Sequence, residues 1–488
     1  MESGNMSINT EMTALADAIR NKSGVTGKLS IAAMTTAIGN IVINPGGGDS
    51  DIVFGYLDEN NKFQAVDLSG DAPVKIGSPE TIDQFTTYNI PALEYVPLKL
   101  ALAPGENAAA VKFAIGFKND KSTFNGTTYI RTQDNAEWRP WQFTSSADGL
   151  VYETINLNSQ NRFVEVWCQV DSAAYKNTDC HFELSGQIMA SGNAMSLIDY
   201  AKALTSANSD GPFVGLFRDC TSLLTPPELP ATTLVYNCYQ YMFYGCTSLV
   251  SAPELPATVL ADSCYEFMFS NCNSLSIAPE LPATTLAEQC YRHMFSDTNL
   301  TTAPSLPATT MEYECYSYMF AFCKNLTIAP ELPAVTLAKG CYNGMFGYCP
   351  SLTTAPELPA TELARYCYGG MFSECTSLTA APELPATTMF DQCYSFMFSG
   401  CSSLTIAPEL PATTLAGGCY NGMFKNCTSL KEIKVGFVDW QRQPDWPADP
   451  TPEWVLNVGS NGTFYKKSDL PEEYGTSRIP EGWTVINY

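Results

Sequence analysis

A unit of 26 residues recurs about eight times between Phe213 and Val435, and this periodicity constrains the fold more than any other feature. One phenylalanine marks the register, at Phe217, Phe243, Phe269, Phe295, Phe320, Phe346, Phe372, Phe398 and Phe424. Every step is 26 residues except Phe295 to Phe320, which is 25. A fixed period of this length predicts a solenoid, because one such unit buries its apolar face only by stacking on its neighbours. Solenoids are mostly binding surfaces, so recognition is the expected role and catalysis is not.

Each unit has two halves. In Thr285–Phe295, Leu286, Cys290 and Met294 recur at i, i+4 and i+8, with Tyr291 and Phe295 in the adjacent column. That spacing predicts one wide apolar face on a helix of about three turns, with Thr285 as its N-cap. The other half, Ser274 to Pro282, carries apolar Leu275, Ala278 and Leu281. Pro279 recurs in the other coils and cannot donate to a ladder, so the strand there is expected to be only a few residues long. Eight or nine coils at ~4.8 Å each give an array about 40 Å long. The short coil lacks one residue before Leu300, has Thr298 where the others have cysteine, and predicts a tightened turn or kink.

Of 18 cysteines, 16 are repeat positions. They read as small buried thiols. No C-x-x-C spacing suggests zinc, and disulfides between coils would break the equivalence of the repeats. Cys168 and Cys180 stand outside the repeat and flank an expected hairpin; pairing and free core thiols both stay open.

The flanks differ in character. Residues 1–44 read as a small helical attachment segment, with an apolar stripe at Met12, Leu15, Ala16 and Ile19 and a second apolar stretch from Ile31 to Ile43. Residues 45–50 are a Gly-rich linker. Alternating segments such as Val111–Phe117 and Phe163–Val170, separated by turn residues, predict an antiparallel β-sandwich over 51–200. Trp138 and Trp141 there suit either a sugar platform or a sandwich core. The solenoid spans 201–435. Residues 436–488, with Trp440, Trp446, Trp454 and Trp483, read as a cap over the last coil, closed by a strand at 482–488.

The chain carries a net charge of −24 with 26 basic residues. This excess argues against nucleic acid and anionic membranes as partners. No apolar run approaches the ~20 residues of a membrane helix. The polar start, Met1–Thr10, lacks the pattern of a secretory signal. No G-x-S-x-G, H-E-x-x-H or phosphate-loop motif occurs, and the two histidines, His181 and His293, fall in different predicted domains. No catalytic residue and no metal ligand is assigned, and the chain is expected not to be an enzyme.

The unit Ser-Leu-Thr-x-Ala-Pro-Glu-Leu-Pro-Ala-Thr-Thr-Leu…Cys-Tyr-x-x-Met-Phe-x-x-Cys resembles the BspA-like leucine-rich repeats, found in surface proteins of gut bacteria and in proteins of their phages. The ending Ile479–Val485 is similar to the tail of such proteins. The stretch Met12–Arg20 with Gly27-Lys-Leu29 resembles the opening of tailed-phage appendage proteins. The resemblance implies an α/β leucine-rich-repeat solenoid and a role in adhesion. In that reading the chain is a phage tail fibre or receptor-binding protein. It would be made in the host cytoplasm, attached to other virion tail proteins through its N-terminus, commonly as a homotrimer, and would bind a glycan or protein receptor on the host. The alternative is a bacterial cell-surface adhesin. The resemblance brings no catalytic residues.

Two candidate sites follow from the repeat. The positions between Cys-Tyr and Met-Phe vary from glycine to aromatic while the rest of the unit is constant. They line up Tyr241, Phe267, His293 and Tyr318 over four coils, with Phe396 further on, as an aromatic row suited to receptor binding or to packing against another part of the assembly. The glutamates of Pro-Glu-Leu-Pro, namely Glu228, Glu254, Glu280, Glu331, Glu357, Glu383 and Glu409, form a second row ~5 Å apart. Like charges so close repel, and the row is either a solvated edge or a ladder bridged by Ca²⁺. No other cofactor is expected.

Overall fold

The computed structural model describes residues 41–45, 52–57, 63–65, 96–116, 126–141, 143–146, 149–152, 154–170, 179–197, 211, 213–441 and 449–488. The chain divides into two compact units, Met1–Pro91 and Ala92–Tyr488. In the first, β1 (Ile41–Pro45), β2 (Ile52–Leu57) and β3 (Phe63–Ala65) form an antiparallel sheet in that order. The expected helices of residues 1–44 lie outside the described residues except at 41–44, where the chain is strand and not the end of a helical stretch.

The second unit opens with two packed sheets. One holds β5 (Ala108–Gly116), which pairs with β12 (Asp179–Ser185) on one side and with β9 (Gly149–Tyr152) and β10 (Ile155–Asn158) on the other; β8 (Phe143–Ser146) pairs with β9. The other holds β4 (Leu98–Leu102), β6 (Gly126–Thr132), β7 (Asn135–Pro140), β11 (Phe163–Val170) and β13 (Ile188–Ser191) in the order β13-β4-β11-β6-β7. Alternate residues of each strand face inward, so Leu98, Leu100, Phe113, Ile130, Val164, Val166 and Phe182 form its core. Trp141 is buried there and stacks on Phe113 at 6.0 Å, which makes it a core residue and not half of a sugar platform. Cys168 and Cys180 fall on strands of different sheets, not on one hairpin.

The solenoid grows directly out of the sandwich. Its first strand, β14 (Leu223–Thr225), pairs in parallel with β13. Phe182 of β12 stacks on Phe217 of the first coil at 5.1 Å. The sandwich therefore covers the apolar end that a first coil leaves open. At the far end Trp454 packs on Tyr420 and Phe424. A parallel sheet of β15 (Glu432–Lys434), β16 (Thr463–Lys466) and β17 (Thr484–Asn487) continues the stacking. Trp440 and Trp483 are buried in this cap and donate their indole N–H groups to Pro471 and Gly459 carbonyls at 2.8 and 2.7 Å.

Within the coils the expected helix is absent, and a ribbon of overlapping turns takes its place. In the Val235–Cys246 segment, alternate N–H groups bond three residues back: Cys238 to Val235, Gln240 to Asn237, Met242 to Tyr239, Tyr244 to Tyr241 and Cys246 to Phe243. The others cross to the next coil: Asn237 to Asp262, Tyr239 to Cys264, Tyr241 to Glu266, Phe243 to Met268 and Gly245 to Ser270, at 2.8 to 3.1 Å. Every fourth residue has positive φ, here Asn237, Tyr241 and Gly245. Turns with a left-handed third residue thus alternate with turns that lack one. The chain turns its side chains in by pairs, Cys238-Tyr239 and Met242-Phe243, and out by the pairs between them. At about 1 kcal/mol net per hydrogen bond, the five bonds that this ribbon sends to the next coil contribute on the order of 5 kcal/mol per interface before any burial is counted.

The burial that the helix predicted is nevertheless found, because spacing of four serves both structures. Cys264, Met268, Phe269 and Leu249 are fully buried, with their equivalents in the other coils. The phenylalanines stack in one continuous column from Phe217 to Phe424, at 5.5–5.9 Å and within 11° of parallel. A second column holds the tyrosines from Tyr239 to Tyr420. The 25-residue coil does not interrupt either column: Phe295 to Phe320 is 5.8 Å and Tyr291 to Tyr316 is 5.7 Å. The deletion is absorbed next to Leu300, which stays buried, with the Asn299 N–H donating to Leu275 O. The proline half of the coil makes only isolated parallel bridges, such as Thr233 with Val259 and Thr336 with Glu362. Two of the four residues in Pro-Glu-Leu-Pro lack an N–H, which limits any ladder there.

The 16 repeat cysteines are buried thiols that form no disulfide. The second column has a defined job. From Cys246 onward each thiol donates to the carbonyl of the phenylalanine one coil earlier, as Cys246 does to Phe217 at 3.0 Å and Cys272 to Phe243 at 3.1 Å, while Cys220 donates to Phe182 of the sandwich at 2.9 Å. Thr298 stands at this position in the short coil but donates to Phe295 O of its own coil, at 2.8 Å.

Candidate recognition site

The three positive-φ positions of each coil form three outward rows along the ribbon. The middle row reads Tyr241, Phe267, His293, Tyr318, Gly344, Gly370, Phe396 and Gly422, all with φ between 53° and 62°. In eight coils this position is therefore aromatic or glycine and nothing else. A left-handed conformation favours glycine, and a bulky side chain there carries a backbone cost of roughly 1–2 kcal/mol.

The aromatics of this row stack on one another. Ring centroids are 4.9 Å apart from Tyr241 to Phe267, 4.4 Å from Phe267 to His293 and 4.7 Å from His293 to Tyr318, each pair within 8° of parallel. The rings are half-buried, because each covers its neighbour, and Phe396 is exposed. Charged side chains brace the row. Arg218 sits over Tyr241 and Tyr244, and Arg292 sits over Phe267 while its guanidinium bonds Glu266 at 2.7 Å. Gln240 also donates to Glu266, so three successive coils are tied at this row. Packing between the two rings and the neighbouring Arg292 charge push His293 down to about 4, so its imidazole is neutral near pH 7.

Beyond Tyr318 the row is interrupted. A Cβ at Gly344 would collide with the Tyr318 ring, which overhangs that glycine. A Cβ at Gly370 would meet no heavy atom within 4 Å. The result is a recess of about 370 Å³ with Tyr318 and Phe396 at its ends. Phe322 and Tyr348, which stack at 4.7 Å in the neighbouring row, bound one side. Tyr366 and Gln392 from the remaining row also line it.

The other predicted row is placed as a line of exposed carboxylates. Glu228, Glu254, Glu280, Glu331, Glu357, Glu383 and Glu409 all face solvent, and Glu409 pairs with Lys434 at 3.0 Å. Among the described residues no group of three or more His, Cys, Asp or Glu is assembled that could hold a metal ion. His181 lies on β12 of the sandwich beside Glu183, in a different part of the unit from His293.

Residues 215–327 and 339–437 match the family model described as BspA type leucine rich repeat region, in six copies. The two matched stretches fall within the solenoid's coils. No curated protein and no solved structure matches the chain. Among the described residues no helix is long and apolar enough to cross a membrane. BspA type repeats fit a surface adhesin or another recognition role.

Proposed function

We propose that this protein is a non-enzymatic adhesin whose solenoid recognises a cell surface through the middle positive-φ row. One observation carries the reading. Coils with glycine in that row stack as well as coils with an aromatic: Phe346 to Phe372 is 5.8 Å and Phe269 to Phe295 is 5.6 Å. The fold therefore does not require rings at Tyr241, Phe267, His293, Tyr318 and Phe396, and each occupies a backbone conformation that disfavours it. Aromatic rings kept at an outward position where glycine serves the fold equally well point to a selected contact.

The setting we propose is a phage tail, as a fibre or receptor-binding protein, because Met12–Leu29 resembles the opening of tail-appendage proteins. The repeat family equally suits a bacterial surface adhesin. Antibody to the solenoid separates the two: the tail reading expects decoration of virion tails in a lysate, and decoration of bacterial cells alone overturns it.

The recognition reading itself is tested with the full chain, fluorescently labelled and presented to a panel of gut bacterial strains. Wild type should label a subset of strains. Replacing Tyr241, Phe267 and Tyr318 together by Ser should reduce that labelling at least tenfold while the melting temperature stays within a few degrees. Undiminished labelling by the triple variant would overturn it, as would failure of the wild type to label any strain.

A further inference from the structure

We propose that the recess over Gly370 is a binding slot for an uncharged sugar ring; this deepens the recognition reading and rests on it. The slot exists because two consecutive rings are missing from a stacked row. Tyr318 and Phe396 are three coils apart, or about 14 Å at the spacing of parallel strands. Stacked rings in the same row need only 4.4–4.9 Å each. The Tyr318 ring covers Gly344, so its outward face looks onto the seat that Gly370 leaves empty.

The volume of about 370 Å³ lies in the range of small-molecule sites. Its lining decides the ligand class. In a chain with net charge −24, none of the residues that line the recess is charged, and the nearby Arg365, over the Tyr366 ring, is paired with Asp391. A cation would find no carboxylate there, and an anion no base. What the walls offer are aromatic rings, whose negative faces attract the C–H side of a pyranose. Besides the hydroxyls of Tyr318, Tyr348 and Tyr366, the polar side-chain groups are the amides of Asn343 and Gln392 and the hydroxyls of Ser373 and Ser395, which can both donate to and accept from sugar hydroxyls. A planar apolar ligand would leave those four groups unpaired, and a neutral sugar satisfies both surfaces.

The test uses the full chain on an array of immobilised neutral, sialylated and sulfated oligosaccharides. Binding confined to neutral glycans is expected. Gly370→Phe should abolish it at least tenfold by filling the seat. The substitution should fold, since Phe267 and Phe396 hold the same φ in other coils and nothing lies within 4 Å of a Cβ at 370. Gln392→Ala should weaken the same binding without touching the floor of the slot. Preference for acidic glycans, no glycan binding, or unchanged binding by Gly370→Phe would each overturn the proposal. The last two can coincide with bacterial labelling that Tyr241→Ser with Phe267→Ser removes. In that case the recognition reading stands and only the slot is lost.

Discussion

Gly370→Ala separates the turn ribbon from a helix by the sign of its effect. In a helix interior, alanine is better than glycine by about 1 kcal/mol. In the ribbon, Gly370 has φ of 60°, and an L-residue in that region costs roughly 1–2 kcal/mol. Sterics do not confuse the comparison, because the new methyl meets no heavy atom within 4 Å. The Gly370 N–H donates to Ser395 O of the next coil at 2.7 Å, so the strain loads a bond between coils. Long repeat arrays do not unfold as one unit, and local opening is the better readout. Hydrogen exchange in a peptide spanning 366–378 should speed up about five- to thirtyfold, the factor equivalent to 1–2 kcal/mol. Gly344→Ala should do more, since its methyl also displaces the Tyr318 ring. Slower exchange or a higher melting temperature in Gly370→Ala would refute the backbone argument.

Met268→Asp should lose several kcal/mol and expose the coils on either side, because it leaves a carboxylate unpaired in a fully buried site; circular dichroism melts check it, and wild-type melting would contradict the packing. The 16 repeat thiols should be silent to a thiol reagent at pH 8 and react once the protein is denatured without reductant, since burial pushes groups such as Cys272 and Cys375 up to about 12; two or fewer thiols recovered would contradict their being free. His293 is depressed to about 4 against an ordinary value of 6.5, so the unfolded chain takes up its proton first as the pH falls. The stability that depends on neutral His293 is present above pH 6.5 and lost toward pH 4, so the melting temperature of His293→Phe should fall less than wild type between pH 7 and 4.5; equal falls would argue against a buried neutral imidazole.

The sequence makes the solenoid legible because its period fixes the stacking, and the Cys-Tyr and Met-Phe pairs fix which side chains face inward. It misleads on the backbone. Apolar residues at i and i+4 satisfy a helix of period 3.6 and a turn ribbon of period 4 alike. The missed signal is glycine: Gly340 and Gly344 stand four apart in one coil, as do Gly418 and Gly422 in another. Glycine at such spacing weakens a helix at each occurrence and costs nothing at a left-handed turn residue. The middle row is legible as a variable position, and so are its gaps. That Gly344 is roofed by Tyr318 while Gly370 stays open depends on the lean of one ring, which no spacing reports.

The same geometry explains why recognition can vary on a scaffold that does not. Cohesion between coils runs through backbone bonds and through the Phe, Tyr and Cys columns, all of which lie on the inward side or in the backbone itself. The side chains of the middle row stack chiefly on one another, worth about 1 kcal/mol per pair, which roughly offsets the cost of their conformation. A ring exchanged for glycine therefore changes the surface with little net change in stability, and a glycine exchanged for a ring does the same in reverse. Rows built from inward positions could not behave this way, since a fully buried Phe replaced by a small residue loses 3–5 kcal/mol. The alternation of aromatic residues and glycine at one position is thus the pattern expected where the fold is nearly indifferent and the contact made by the surface decides.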